Sequence, residues 1–216
     1  MDQEIDLINK NTRNERILNF FKKNYKIFIF SVCLIIIVIV IFFGLEYLSK
    51  DKNLKLSNRY NNIISSYELK DKDFVIKELK NIIEEKNKTY STLSLFFIID
   101  NDLISSNVQI NNYFDLIIND IKLDKEIKNL IIYKKALYNS DNISEDQLIS
   151  ILNPIINNNS IWKAHSLYLL GEYFFSNGEN QKAKEFFEKI LITENANEQI
   201  IIEAQKRLKR DLREQN

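Results

Sequence analysis

Apolar residues along the chain fall into two regimes. From Ile27 to Leu45 the sequence reads IFIFSVCLIIIVIVIFFGL, without one charge, and only Ser31, Cys33 and Gly44 interrupt the large aliphatic and aromatic side chains. From Glu46 onward, apolar positions recur at helical spacing with polar breaks between them. The first regime predicts a helix of about 28 Å at about 1.5 Å per residue, close to the hydrocarbon thickness of a bilayer. Its Ile, Val, Leu and Phe side chains together favour insertion by on the order of 5 to 10 kcal/mol, with no charge opposing them. A buried core helix would be shorter and would carry polar residues at a helical period. A cleaved signal peptide has a small-residue site behind its apolar run, whereas Glu46-Tyr47-Leu48 follows here. Residues 27–45 therefore read as a retained transmembrane helix, through which the lipid bilayer becomes a partner.

The second regime predicts an all-α domain. Leu56, Tyr60, Ile63, Ile64 and Tyr67 extend the helical period outward as a stem over residues 46–70. Asp71-Lys72-Asp73 breaks the pattern, and Phe74, Ile76, Leu79, Ile82 and Ile83 carry the next helix. Thr89–Asp102 pairs with Val108–Asp120, Asp124–Tyr138 with Glu145–Ile156, and Ser160–Asn177 with Gln181–Ile192. A last helix over 198–213, with Ile201, Ala204, Leu208 and Leu212 inward and Lys206, Arg207, Lys209 and Arg210 outward, reads as a polar cap. Helices of this length with short breaks predict a solenoid of antiparallel pairs over residues 71–216, each burying its apolar face against its neighbours.

Composition sharpens this picture. Only 3 glycines and 1 proline occur, too few for a turn-rich β fold. Lys10, Arg13, Arg16, Lys22, Lys23 and Lys26 precede the apolar run, against Lys50, Lys52, Lys55 and Arg59 behind it. The positive-inside rule then predicts a single-pass protein with its N-terminus cytoplasmic and the helical domain exported. Within the lead of residues 1–26, Ile17, Leu18, Phe20 and Phe21 alternate with basic groups, the pattern of a short helix on the membrane surface. The 30 basic and 30 acidic residues balance, so no nucleic acid is expected as a partner. Cys33, the only cysteine, excludes an intrachain disulfide. The run Asn157-Asn158-Asn159 reads as loop filler.

The pair at the end is the most regular. In LYLLGEYFFSNGENQKAKEFFEKIL, Leu167, Leu170, Gly171, Phe174, Gly178, Ala183 and Phe187 stand at the positions that define a tetratricopeptide repeat, and the stretch 160–192 resembles one closely. Gly171 and Ala183 are small enough to let two helices approach, Phe174 and Phe187 fill the space between them, and Gly178 can take the positive φ that ends a helix. In an earlier copy, Phe97, Ile98, Ile110 and Phe114 take the places of Leu170, Gly171, Ala183 and Phe187. In another, Tyr67, Asp71 and Ile76 take those of Phe174, Gly178 and Ala183. Isoleucine where the repeat is small predicts more widely spaced helices.

No phosphate-binding glycine loop, zinc spacing or nucleophile constellation is present, so no catalytic, cofactor-binding or metal residue is assigned and no small-molecule substrate is expected. His165, near Trp162, reads as a packed helix residue; Lys80, Glu84, Glu85 and Lys86 read as a solvated face. These features point to a binding module and not an enzyme. The basic lead, single span and degenerate tetratricopeptide-like domain together resemble the ancillary SecYEG translocon subunit family, the YfgM-like proteins; the closest stretch is Ile161–Ser166 running into Leu170-Gly171. The resemblance implies an inner-membrane protein with a periplasmic helical domain, partnered by Sec translocon subunits and a periplasmic chaperone, passing exported chains from one to the other. A membrane-tethered scaffold for another cell-envelope assembly complex has the same physical requirements.

Overall fold

A computed structural model describes residues 2–212, without the side chains of residues 2–19, 21, 22, 28 and 45. The expected amphipathic face of the lead at Ile17, Leu18 and Phe21 lies outside these described side chains, as does Arg213. All the described regular structure is helical: α1 (Asp2–Ser65), α2 (Lys72–Glu84), α3 (Tyr90–Asp100), α4 (Asn107–Asp120), α5 (Lys125–Asn139), α6 (Glu145–Ile156), α7 (Lys163–Ser176), α8 (Asn180–Leu191) and α9 (Glu198–Arg210), with a 3₁₀ turn at Tyr67–Leu69. The chain divides into two compact units, one up to Asn58 and one from Arg59.

In the first unit, the described side chains of the apolar run point outward: Phe30, Ile37 and Phe43 are 71%, 58% and 62% exposed. Its most apolar 18-residue window has a mean hydropathy of 3.4 and no buried residue. Left in water, so much apolar surface would cost roughly 25 cal/mol for every Å². By length and composition α1 is a candidate membrane-spanning helix. The charges behind the run pair along the helix, Lys50 with Glu46 at 2.7 Å and Lys55 with Asp51 at 2.6 Å.

The second unit is a succession of helices, each packed on its neighbours in sequence. Short polar side chains set several helix starts by accepting orphan backbone N–H bonds: Asp71 from Phe74, Ser106 from Gln109, and Asn197 from Gln199 and Ile200. Ser144 and Gln147 cap each other reciprocally. These caps leave the expected helix ends in place to within a few residues. Buried Leu79, Ile82, Ile83, Leu95, Ile98, Phe114 and Ile117 form one end of the core; Leu152, Leu170, Phe174, Phe187 and Ile190 form the other.

The structure corrects several expectations. On α2, Val75 is buried while Phe74 is exposed and Ile76 half-buried. α3 packs most extensively on α2, not on α4. It presents fully buried Ser91 and Ser94 within its apolar sequence, and the Ser91 hydroxyl donates to the Ile82 carbonyl at 3.0 Å. Asp71 caps α2 with φ −57° and so does not reproduce the left-handed turn of Gly178. Glu84, Glu85 and Lys86 are exposed, as a solvated face requires, and Lys86, with φ 51°, also reaches Asp120 of α4 at 2.7 Å. Asn157, Asn158 and Asn159 are exposed after α6, where the Asn159 backbone carbonyl accepts from the Lys125 ammonium at 2.8 Å.

A candidate interaction face on α5, α7 and α9

The seven repeat positions fall in the scaffold. Leu167, Leu170, Gly171, Phe174, Ala183 and Phe187 are buried between α7 and α8 or against their neighbours, and these two helices make the most extensive pairing in the unit. A Cβ added to Gly171 would lie 2.6 Å from the Phe187 ring, so the glycine is what lets that ring seat. Gly178 is exposed with φ 77°. Around it, Glu179 N–H bonds the Phe174 carbonyl and Gly178 N–H the Phe175 carbonyl, at 2.9 and 3.1 Å, closing the helix end.

The opposite stripe of α7 carries different chemistry. His165, Tyr168, Glu172 and Phe175 follow one another at helical spacing and are all half-buried. α5 and α9, which both contact α7, complete this face. From α5, Tyr133 stacks on Trp162 at 5.8 Å with 21° between the planes, and meets His165 edge-on at 6.0 Å. His165 and Trp162 are 5.2 Å apart. From α9, Arg207 makes a bidentate pair with Glu172 at 2.7 and 2.6 Å, bonds Asp211 at 3.0 Å, and lies 4.9 Å over the Phe175 ring. Arg207 is therefore not part of an outward polar cap. Its planar fork matches a carboxylate and an aromatic ring together, which an ammonium could not do.

The electrostatics follow from these contacts. Arg210 and Arg207 draw the Asp211 carboxyl down to about 2, and Glu172 holds Arg207 firmly cationic. Burial raises Tyr133, and burial together with Glu172 raises Tyr168. Burial pushes His165 below its ordinary value, the Ile161 carbonyl opposing in part. Beside Glu172, a cleft of about 500 Å³ opens between the α5–α6 turn and α7, bounded by Ser140, Asp141, Ile143, Leu169 and Tyr173. The Tyr173 hydroxyl donates to the Ile143 carbonyl across it at 3.1 Å.

Ring faces, a paired guanidinium and a polar cleft on adjacent helices suit noncovalent recognition. Among the described residues, no group of His, Cys, Asp and Glu side chains could hold a metal ion. Sequence reasoning missed Tyr133, Tyr168, Glu172, Phe175 and Arg207 as members of one face. The available signal was the stripe at i, i+3, i+7 and i+10 on α7, complementary to the buried stripe of Leu167, Leu170 and Phe174. The chain matches no known family model, curated protein or solved structure.

Proposed function

We propose that this is a membrane-anchored adaptor, whose tetratricopeptide-like solenoid binds proteins through the α5–α7–α9 face. The observation that carries this reading is the alignment of Tyr133, His165, Tyr168, Glu172, Phe175 and Arg207 on three successive alternate helices, above a core built from small and aromatic residues. Repeat proteins bind extended segments on surfaces made by such alternate helices. Anchoring through residues 27–45 confines the domain to the bilayer surface and raises its effective concentration toward membrane-bound partners.

The charge bias around the apolar run supports an inner-membrane, N-terminus-inside topology with a periplasmic domain. The resemblance in residues 160–192 supports Sec translocon subunits and a periplasmic chaperone as the partners, with exported chains handed from one to the other. Crosslinking the full-length protein in its native membrane, followed by mass spectrometry, tests this. Translocon subunits or a chaperone attached beyond residue 45 are the expected result. Cytoplasmic partners on that region overturn the topology, and envelope proteins unrelated to secretion replace the function with that of another assembly scaffold.

A further inference from the structure

His165 is the only histidine and Trp162 the only tryptophan in the chain, and their rings are in contact on the seam between α5 and α7. Tyr133 of α5 closes the cluster from the other side. The imidazole Nδ1 is buried and makes no hydrogen bond. A neutral ring tolerates this, because an unpaired acceptor nitrogen costs far less than an unpaired buried charge. Protonation would place a positive charge among the Tyr133 and Trp162 rings, with only the Ile161 carbonyl, which opposes burial in part, to accept from it.

We propose that protonation of His165 loosens the Tyr133–Trp162–His165 contact, making the α5–α7 part of the face acid-sensitive. As a means of regulating binding, this rests on the adaptor reading of that face. The titratable group facing the ring from α5 is Tyr133. Glu126, also on α5, is engaged by the Ser160 hydroxyl and the Ile161 N–H at 2.7 and 3.2 Å. From α9, Arg207 is committed to Glu172 and Asp211. From α8, Lys182 is committed to Glu145 of α6 and to Glu179, and Lys189 lies over Phe186. No charged side chain opposes the effect of burial on His165.

The direction of the effect follows from that burial. The folded chain binds the proton less readily than the unfolded chain does. The seam therefore has its full stability above the ordinary histidine value of about 6.5, and loses it as pH falls through the lower folded value. Histidine is the one side chain whose ordinary titration lies between about pH 5 and 8, and His165 is the only histidine in the chain.

The test uses untagged full-length protein in lipid nanodiscs, titrated from pH 8 to 4.5. The single set of imidazole NMR signals, Trp162 emission and hydrogen-exchange protection of α5 and α7 are followed together. The expected result is an imidazole midpoint below 6.5, with a Trp162 emission change and loss of α5–α7 protection at the same pH. His165→Phe, which keeps a ring in the cluster, should abolish both. A midpoint at or above 6.5 would mean that the neighbouring ring faces stabilise the imidazolium, and overturns the proposal. So would protonation that leaves emission and protection unchanged, or a transition that persists in His165→Phe. If that variant fails to fold, the wild-type titration alone decides. No partner enters these measurements, so failure of the adaptor reading, seen by crosslinking, stays distinct from failure of the switch.

Discussion

The α7–α8 and α3–α4 pairs are built from related patterns and pack differently. In both, the second helix seats a fully buried phenylalanine, Phe187 in α8 and Phe114 in α4. Both first helices end on a left-handed residue with the same closure. Gly178 and Asp102 have φ 77° and 48°, and the Leu103 N–H bonds the Ile98 carbonyl as the Glu179 N–H bonds that of Phe174. That closure puts Ile98 level with Phe174, and hence Leu95 level with Gly171, instead of the Ile98–Gly171 match expected from sequence. The reason is the turn. Residues 101–106 separate α3 from α4, whereas 177–179 separate α7 from α8, so no single shift superposes both helices.

Leu95 and Ile110 thus stand where the later pair has Gly171 and Ala183, and α3 meets α4 much less extensively than α7 meets α8. α3 finds its closer partner in α2 instead. Buried positions are conserved in kind between the two pairs, and side-chain size decides how near the backbones come. A glycine is thus a packing element on α7 and a conformational one in the turn after it.

The strongest way to break this comparison is to remove the ring seated on Gly171. Phe187→Ala should cost about 3–5 kcal/mol, lowering the Tm by about 2–4 °C for each kcal/mol; a loss under 1 kcal/mol would mean that the α7–α8 contact is not the tight one. Gly171→Leu should cost roughly 1–3 kcal/mol by overpacking. Combined with Phe187→Ala it should cost clearly less than the sum of the two, because the space vacated by the ring admits the new side chain. Strict additivity in urea unfolding would sink the assigned contact.

The two turns give smaller effects of opposite sign. Nothing lies within 4 Å of a Cβ built at Gly178, so Gly178→Ala should cost only the left-handed penalty, about 1–2 kcal/mol. Asp102→Gly should be neutral or stabilise by up to about 0.5–1 kcal/mol. Thermal unfolding that moved the same way in both variants would break the parallel between the closures. Arg207→Ala should likewise cost only about 1 kcal/mol, since the pair with Glu172 lies at the partly exposed edge. Salt should weaken the wild type toward the variant, and a salt-independent difference would assign the effect to packing on Phe175.

Much of the fold was legible along the chain. Helical spacing with polar breaks located the helices of the second unit, because caps such as Asp71, Ser106, Ser144 and Asn197 are local chemistry. The candidate face was not legible, since its bonds join residues far apart in sequence. Arg207 reaches Glu172 one helix pair away. The side-chain amides of Asn111 and Asn139 bond each other reciprocally between α4 and α5 at 2.8 and 2.9 Å. In an asparagine-rich chain, nothing at either position marks such a pair in advance.

By itself, the sequence determined the apolar helix of residues 27–45, the all-helical character of the rest and the scaffold of the α7–α8 pair. Each of these depends on composition or on a spacing of a few residues, and local physics reads both. Tertiary structure alone decided that α3 turns to α2, that Leu95 stands level with Gly171, and that Tyr133, His165, Glu172 and Arg207 share one face. Those outcomes depend on turn length and on how closely two backbones approach, and both become defined only when the helices meet.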